Sequence, residues 1–110
     1  MKKISKDQET LAESFRSYLR KKNMSENTEN AYGRAIRQFF SIESSISEDQ
    51  LRKYRSFLIS TYSPATINQR IFAINQFLLF LEEECPALDP TLAGFRLHSV
   101  KAPRDTFQDS

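Results

Sequence analysis

The sequence predicts an all-α fold, a compact bundle of four helices with a short irregular C-terminal extension. Three observations predict it. Two Gly and four Pro in 110 residues are too few turn residues for a sandwich or barrel. Apolar residues recur at steps of three and four in four separate stretches. Each stretch opens on a serine: Ser5, Ser25, Ser47 and Ser63. With 39% apolar residues, nine of them Phe, the chain can bury one core.

The first helix is expected over Asp7–Lys22. Ser5 caps it and Gln8, three residues on, completes a capping box. Leu11, Phe15, Tyr18, Leu19 and Lys22 share a face, while Lys21 and Lys22 suit the negative end of the dipole. The second helix follows Ser25. Thr28, Ala31, Tyr32, Ala35, Ile36, Phe39 and Phe40 give it the cleanest helical period in the chain. Its opposite face reads Asn27, Asn30, Arg34, Arg37 and Gln38. Tyr32 reads as core and Gly33 as a site of close packing. In the third, Ser47 caps and Gln50 is its box partner, ahead of Leu51, Tyr54, Leu58 and Tyr62. The fourth opens at Ser63-Pro64, because proline's missing N–H costs nothing at a first helical position. It should run to Glu84, about 30 Å. Ile67, Ile71, Ile74, Leu78 and Leu81 form its stripe, widened by Phe77 and Phe80.

Beyond Pro86 the period dissolves. Asp89-Pro90 reads as a turn. Leu92, Phe95 and Leu97 can still pack on the body. The expected organisation is a helical domain over 1–99 and a linker or tail over 100–110.

Charge is uneven behind a net of +2. Residues 1–42 carry nine Lys/Arg against five Asp/Glu. Residues 63–81 contain Arg70 and no acid, and 82–90 hold four acids and no base. A basic front suits an anionic partner. The Glu82–Glu84 run reads as a solvated helix end, oddly placed against the dipole.

Several classes are excluded. One Cys, Cys85, permits no internal disulfide and points to a reducing compartment. One Cys and one His, His98, cannot build the usual structural zinc sites, so no metal or cofactor is expected. The longest apolar run, Phe77–Leu81, is too short to cross a bilayer. The reading is a soluble, cytoplasmic domain. Catalysis lacks a base beside a nucleophile, and two Gly cannot form a phosphate loop.

Binding remains. Helix starts at Ser25 and Ser63 offer free N–H groups to phosphate. Lys21, Lys22 and Arg34 accompany the first. Around the second stand Thr66, Asn68, Gln69 and Arg70, with no carboxylate nearby. Asn and Gln pair with adenine edges, Arg with guanine and phosphate. This acid-free polar opening on a greasy helix points to DNA.

Three stretches, "FRSYLRKKNMSENTENAYGRAIRQFF", "SPATINQRIFAINQFLLFLEE" and "LDPTL", carry a resemblance. Phe15 to Leu19, then Ser25, Thr28, Tyr32 and Phe39, then the opening of the fourth helix, resemble the N-terminal core-binding, SAM-like domain of tyrosine recombinases and phage integrases. The resemblance implies that the second and fourth helices meet a DNA major groove. The implied contacts are Asn27, Thr28, Asn30, Ala65, Thr66, Asn68, Gln69 and Arg70, with Lys21, Lys22, Ser25, Arg34 and Ser63 on phosphate. It implies double-stranded DNA at a recombination site and other recombinase protomers as partners, with the isolated domain monomeric. The family's catalytic residues are absent. His98 is followed by Ser99, Val100 and Lys101 and so opens no His-x-x-Arg. Tyr18, Tyr32, Tyr54 and Tyr62 fall within bundle helices. The chain therefore reads as the binding part of a longer recombinase. The alternative is a helical protein–protein interaction module docking through Ile59, Phe72 and Leu79.

Overall fold

The computed structural model describes residues 4–43, 45–84, 92 and 94–101. Four helices account for most of them: α1 (Lys6–Lys21), α2 (Glu26–Ile42), α3 (Glu48–Thr61) and α4 (Pro64–Glu84). Each boundary lies within about one residue of its sequence signal. The expected turn at Asp89-Pro90 and the tail from Ala102 lie outside the described residues.

Local chemistry sets the helix ends. Ser5 Oγ accepts from Gln8 N–H and Gln8 Oε1 accepts from Ser5 N–H, the full capping box. Ser25 and Ser47 hydroxyls accept from the N–H groups of Thr28 and Gln50. The Ser63 carbonyl accepts the first intrahelical bond of α4, from Ile67 N–H at 2.9 Å. The end of α1 was not legible as such. Asn23 takes the left-handed conformation at φ 65° and donates to Arg20 O, while Met24 donates to Leu19 O. That is a Schellman closure with Asn in glycine's usual place. It turns the chain sharply from α1 into α2.

α1 and α2 pack antiparallel. Arg37, late in α2, donates to Glu9 and Glu13 of α1, and Arg16 of α1 donates to Asn30 early in α2. Gly33 earns its place at this seam. A Cβ there would stand 3.0 Å from Arg16 Cδ, so the arginine stem lies where a side chain would be.

The core is aromatic and shared by all four helices. The Phe77 ring of α4 meets Phe15 of α1 edge-on at 5.2 Å and Phe40 of α2 at 6.0 Å. Tyr54 of α3 meets Phe39 of α2 at 5.4 Å. These rings are fully buried, and each contributes about 1.5–3 kcal/mol through removal of apolar surface from water. Burial also pushes the Tyr54 hydroxyl up to about 12, despite Arg70 nearby. Tyr18 is raised to about 12 by burial and by its bond to Glu83. Both stay protonated at neutral pH.

After α4 the chain returns as a strap. Residues 94–101 run antiparallel along α4, held at three points. Glu82 accepts from Gly94 N–H at 2.7 Å and from Arg96 at 2.9 Å. Asn75 donates to Leu97 O at 3.1 Å and accepts from Leu97 N–H at 2.9 Å. Asn68 donates to Val100 O at 2.9 Å and accepts from Val100 N–H at 2.7 Å. Each asparagine thus imitates a neighbouring β-strand residue, pairing with both polar groups of one backbone unit. The spacing is commensurate. Residues 68, 75 and 82 recur every seven, about 10.5 Å of helix. Residues 94, 97 and 100 recur every three, about 10 Å of extended chain. From α3, Arg55 caps the His98 carbonyl at 2.7 Å and Arg52 stacks over the Phe95 ring. Leu92 and Leu97 are buried, as the sequence suggested. Val100, read as the start of a linker, is anchored.

Candidate nucleic-acid interface

Two helices position the candidate residues. On α2, Asn27, Ala31, Arg34 and Gln38 recur at steps of four and three and line one outer stripe. On α4, Ala65, Gln69, Phe72, Gln76 and Leu79 do the same. Gln38 joins the two helices. It accepts from Arg70 of α4 and, at 2.7 Å, from Tyr54 of α3, and it donates to the Tyr62 hydroxyl at 2.9 Å. The Arg70 guanidinium lies over the Tyr62 ring, 4.9 Å from its centre. Phe72 meets Tyr32 edge-on at 6.0 Å. The second half of α2 and the opening of α4 therefore form one continuous surface.

The structure sorts the sequence-derived residues into three groups. Asn27, Arg34, Ala65 and Gln69 are exposed, and the three polar ones make no hydrogen bond or ion pair among the described residues. Ser63 is exposed and Thr66 half-buried, on the flank that α4 turns to α2.

A second group is engaged inside the protein. Arg70 is half-buried and serves Gln38 and Tyr62. Both polar ends of the Asn68 amide serve the strap. Asn30 accepts from Arg16 at 2.7 Å. Ser25 and Thr28 bond one another, hydroxyl to hydroxyl, at 3.0 Å.

The third group lies elsewhere. Lys22 pairs with Glu83 at 3.7 Å and sits over Tyr18. Lys21 lines a cleft of about 340 Å³ with Ser14, Ser17, Tyr18, Phe80 and Glu84. Both lysines stand at the C-terminal end of α4, about 20 Å along the helix from Arg70. The two helix starts and their cations do not gather into one patch. The joined surface is the side of α2 against the opening of α4.

Sequence reasoning missed three acids that fasten the fold around this surface. Glu29 is only 4% exposed and bonds Arg20 at 2.8 Å and Arg16 at 3.2 Å. The bond from Arg20, outweighing burial, holds its carboxyl below the usual carboxylate range. It fixes the first turn of α2 against α1. Glu82 is likewise lowered, first by Arg96 and then by the Gly94 N–H. Glu83 accepts from the Tyr18 hydroxyl at 3.0 Å. Two of the three glutamates read as a solvated helix end are therefore fasteners. A signal existed: an acid in the first turn of α2, four residues before Gly33 and opposite a helix that carries Arg16 and Arg20 one turn apart.

Parts of this sequence recur in known proteins. Residues 11–77 match the model of the phage integrase N-terminal SAM-like domain. The chain belongs to that family. It is also 35% identical over 75 residues to a tyrosine recombinase XerD-like protein of Streptococcus sanguinis (strain SK36). That match spans 67% of this chain and 30% of the relative. No solved structure matches the chain. Among the described residues no helix is long and apolar enough to cross a membrane, and no cluster of His, Cys, Asp and Glu could hold a metal ion.

Proposed function

We propose that this chain is the DNA-binding part of a tyrosine recombinase, gripping a recombination site through α2 and α4 during site-specific integration or excision. One observation carries the reading. The outer stripe of α2, with Asn27 and Arg34, and the acid-free opening of α4, with Ala65 and Gln69, adjoin across the Gln38–Arg70 bond. Their side chains are those that meet phosphates and base edges in a major groove. The family membership supports the same reading. Strand cleavage and rejoining would fall to a separate catalytic domain, and other recombinase protomers would share the DNA.

The test is titration of the isotope-labelled chain with duplex DNA at low salt, followed by amide NMR. Shifts should cluster at residues 27–34 and 65–72 and shrink as salt rises. Non-specific affinity should fall near 10⁻⁴ to 10⁻⁶ M, roughly, at physiological salt. Saturating duplex that moves none of these resonances would refute the reading.

A further inference from the structure

The outward strip of α4 has a definite chemistry. Ala65, Gln69, Phe72, Gln76 and Leu79 stand at steps of four, three, four and three, so they face one way. Thr66 and Arg70 turn toward α2, and Asn68, Asn75 and Glu82 are occupied by the strap. What remains outward is amides and apolar groups. Phe72 is 53% exposed, with its ring steadied edge-on by Tyr32. Gln69 and Gln76 flank it on the preceding and following turns. The strip holds no arginine or lysine for guanine and no carboxylate for cytosine. The carboxylate that ends it, Glu83, is bound to Tyr18 and Lys22.

Resting on the DNA-binding reading above, we infer that this strip reads A·T-rich sequence in the major groove. Glutamine amides match the N6 donor and N7 acceptor of adenine, and apolar side chains match the thymine 5-methyl. Gln69 and Gln76 are the adenine readers, and Phe72 and Ala65 lie against thymine methyls. From Ala65 to Gln76 the strip is about 16 Å long, the rise of roughly five base pairs, within the reach of one helix in the groove. Positive charge lies to its side rather than on it, at exposed Arg34 of α2 and half-buried Arg70. Cations there hold phosphate while the neutral strip meets the bases.

The experiment compares three duplexes by fluorescence anisotropy with the unaltered chain: one of A·T pairs, one of G·C pairs, and the A·T duplex with uracil in place of every thymine. Uracil keeps the pairing and removes only the methyl. The A·T duplex should bind about tenfold tighter than G·C, as one good amide–adenine pair implies. Uracil replacement should weaken binding about fourfold, the worth of one buried methyl. Phe72→Ala should shrink the thymine–uracil difference to the small part that Ala65 supplies, and Gln69→Ala should narrow the A·T–G·C difference. Both side chains are exposed, and the thymine–uracil comparison needs no variant. Equal, salt-sensitive binding to all three duplexes overturns the A·T inference and leaves the DNA-binding reading intact. A thymine–uracil difference of unchanged size in Phe72→Ala overturns the role of Phe72. No binding to any duplex at low salt overturns the reading itself, and this inference with it.

Discussion

Two flanks of the molecule are fastened by different means. Across the bundle, α1 and α2 are fastened by charge: Glu29 with Arg16 and Arg20, and Arg37 with Glu9 and Glu13. On the other flank the strap is fastened mainly by neutral amides reading backbone, at Asn68 and Asn75, with one ionic end at Glu82. Ionic fasteners tolerate small shifts, because charge acts over distance, but salt and acid weaken them. Paired amides resist salt and acid but demand a fixed register. The bundle seam is therefore sensitive to conditions, and the strap seam to geometry.

Five substitutions would break or sharpen that contrast. The largest effect should come from Phe77→Ala, since its ring touches α1 and α2 together. Loss of a buried phenylalanine costs about 3–5 kcal/mol, and both seams should melt in one transition by circular dichroism and hydrogen exchange.

Glu29→Gln comes next and separates the seams. The folded carboxyl is depressed, so its stabilising effect is present above the unfolded value, about 4.3, and disappears as pH falls through the lower folded value. The variant should melt below the parent at neutral pH, and the gap should close in acid. A gap unchanged between neutral and strongly acidic pH would mean that charge does not hold this seam.

Asn75→Ala should act on the strap alone. It strips Leu97 of partners for its N–H and C=O, at a local cost of about 1–3 kcal/mol. Amide exchange should accelerate at Leu97 and then at Gly94 and Val100, with α1 and α2 unchanged. If exchange rises equally in α2, the strap is not a separate unit.

Arg34→Ala should be the mildest. Exposed and unpaired among the described residues, it should leave the melting temperature within about 3 °C, since such surface changes cost within about 0.5 kcal/mol. Under the proposed function it should lower the slope of log K against log salt by about 1. Arg70→Ala makes the instructive partner. Its guanidinium joins Gln38 and Tyr62, so it should lose stability and DNA affinity together.

The helices were legible because their signals are local. Ser5 with Gln8, Ser25, Ser47 and Ser63-Pro64 announce starts, and period-three-and-four apolar stripes name the buried faces. The surface was only half legible. An asparagine on a helix looks the same whether it faces water, a base or a backbone carbonyl. Asn68 meets its partner 32 residues away, and no nearby pattern marks that distance. Arg70 was read as free for the same reason, with Gln38 equally remote. Acids were misjudged because burial of a charge depends on which arginines fold against it, as for Glu29.

The strap behaves as a vernier, two rulers of unlike pitch that agree only at set marks. Adding one residue between Leu97 and Val100 would carry every later position past its mark, while side-chain changes at His98 or Ser99, which are held among the described residues through their backbone carbonyls, leave the marks aligned. Related chains should therefore vary freely in the letters of this segment and hold its length constant, a pattern that aligned sequences would display as substitutions without gaps.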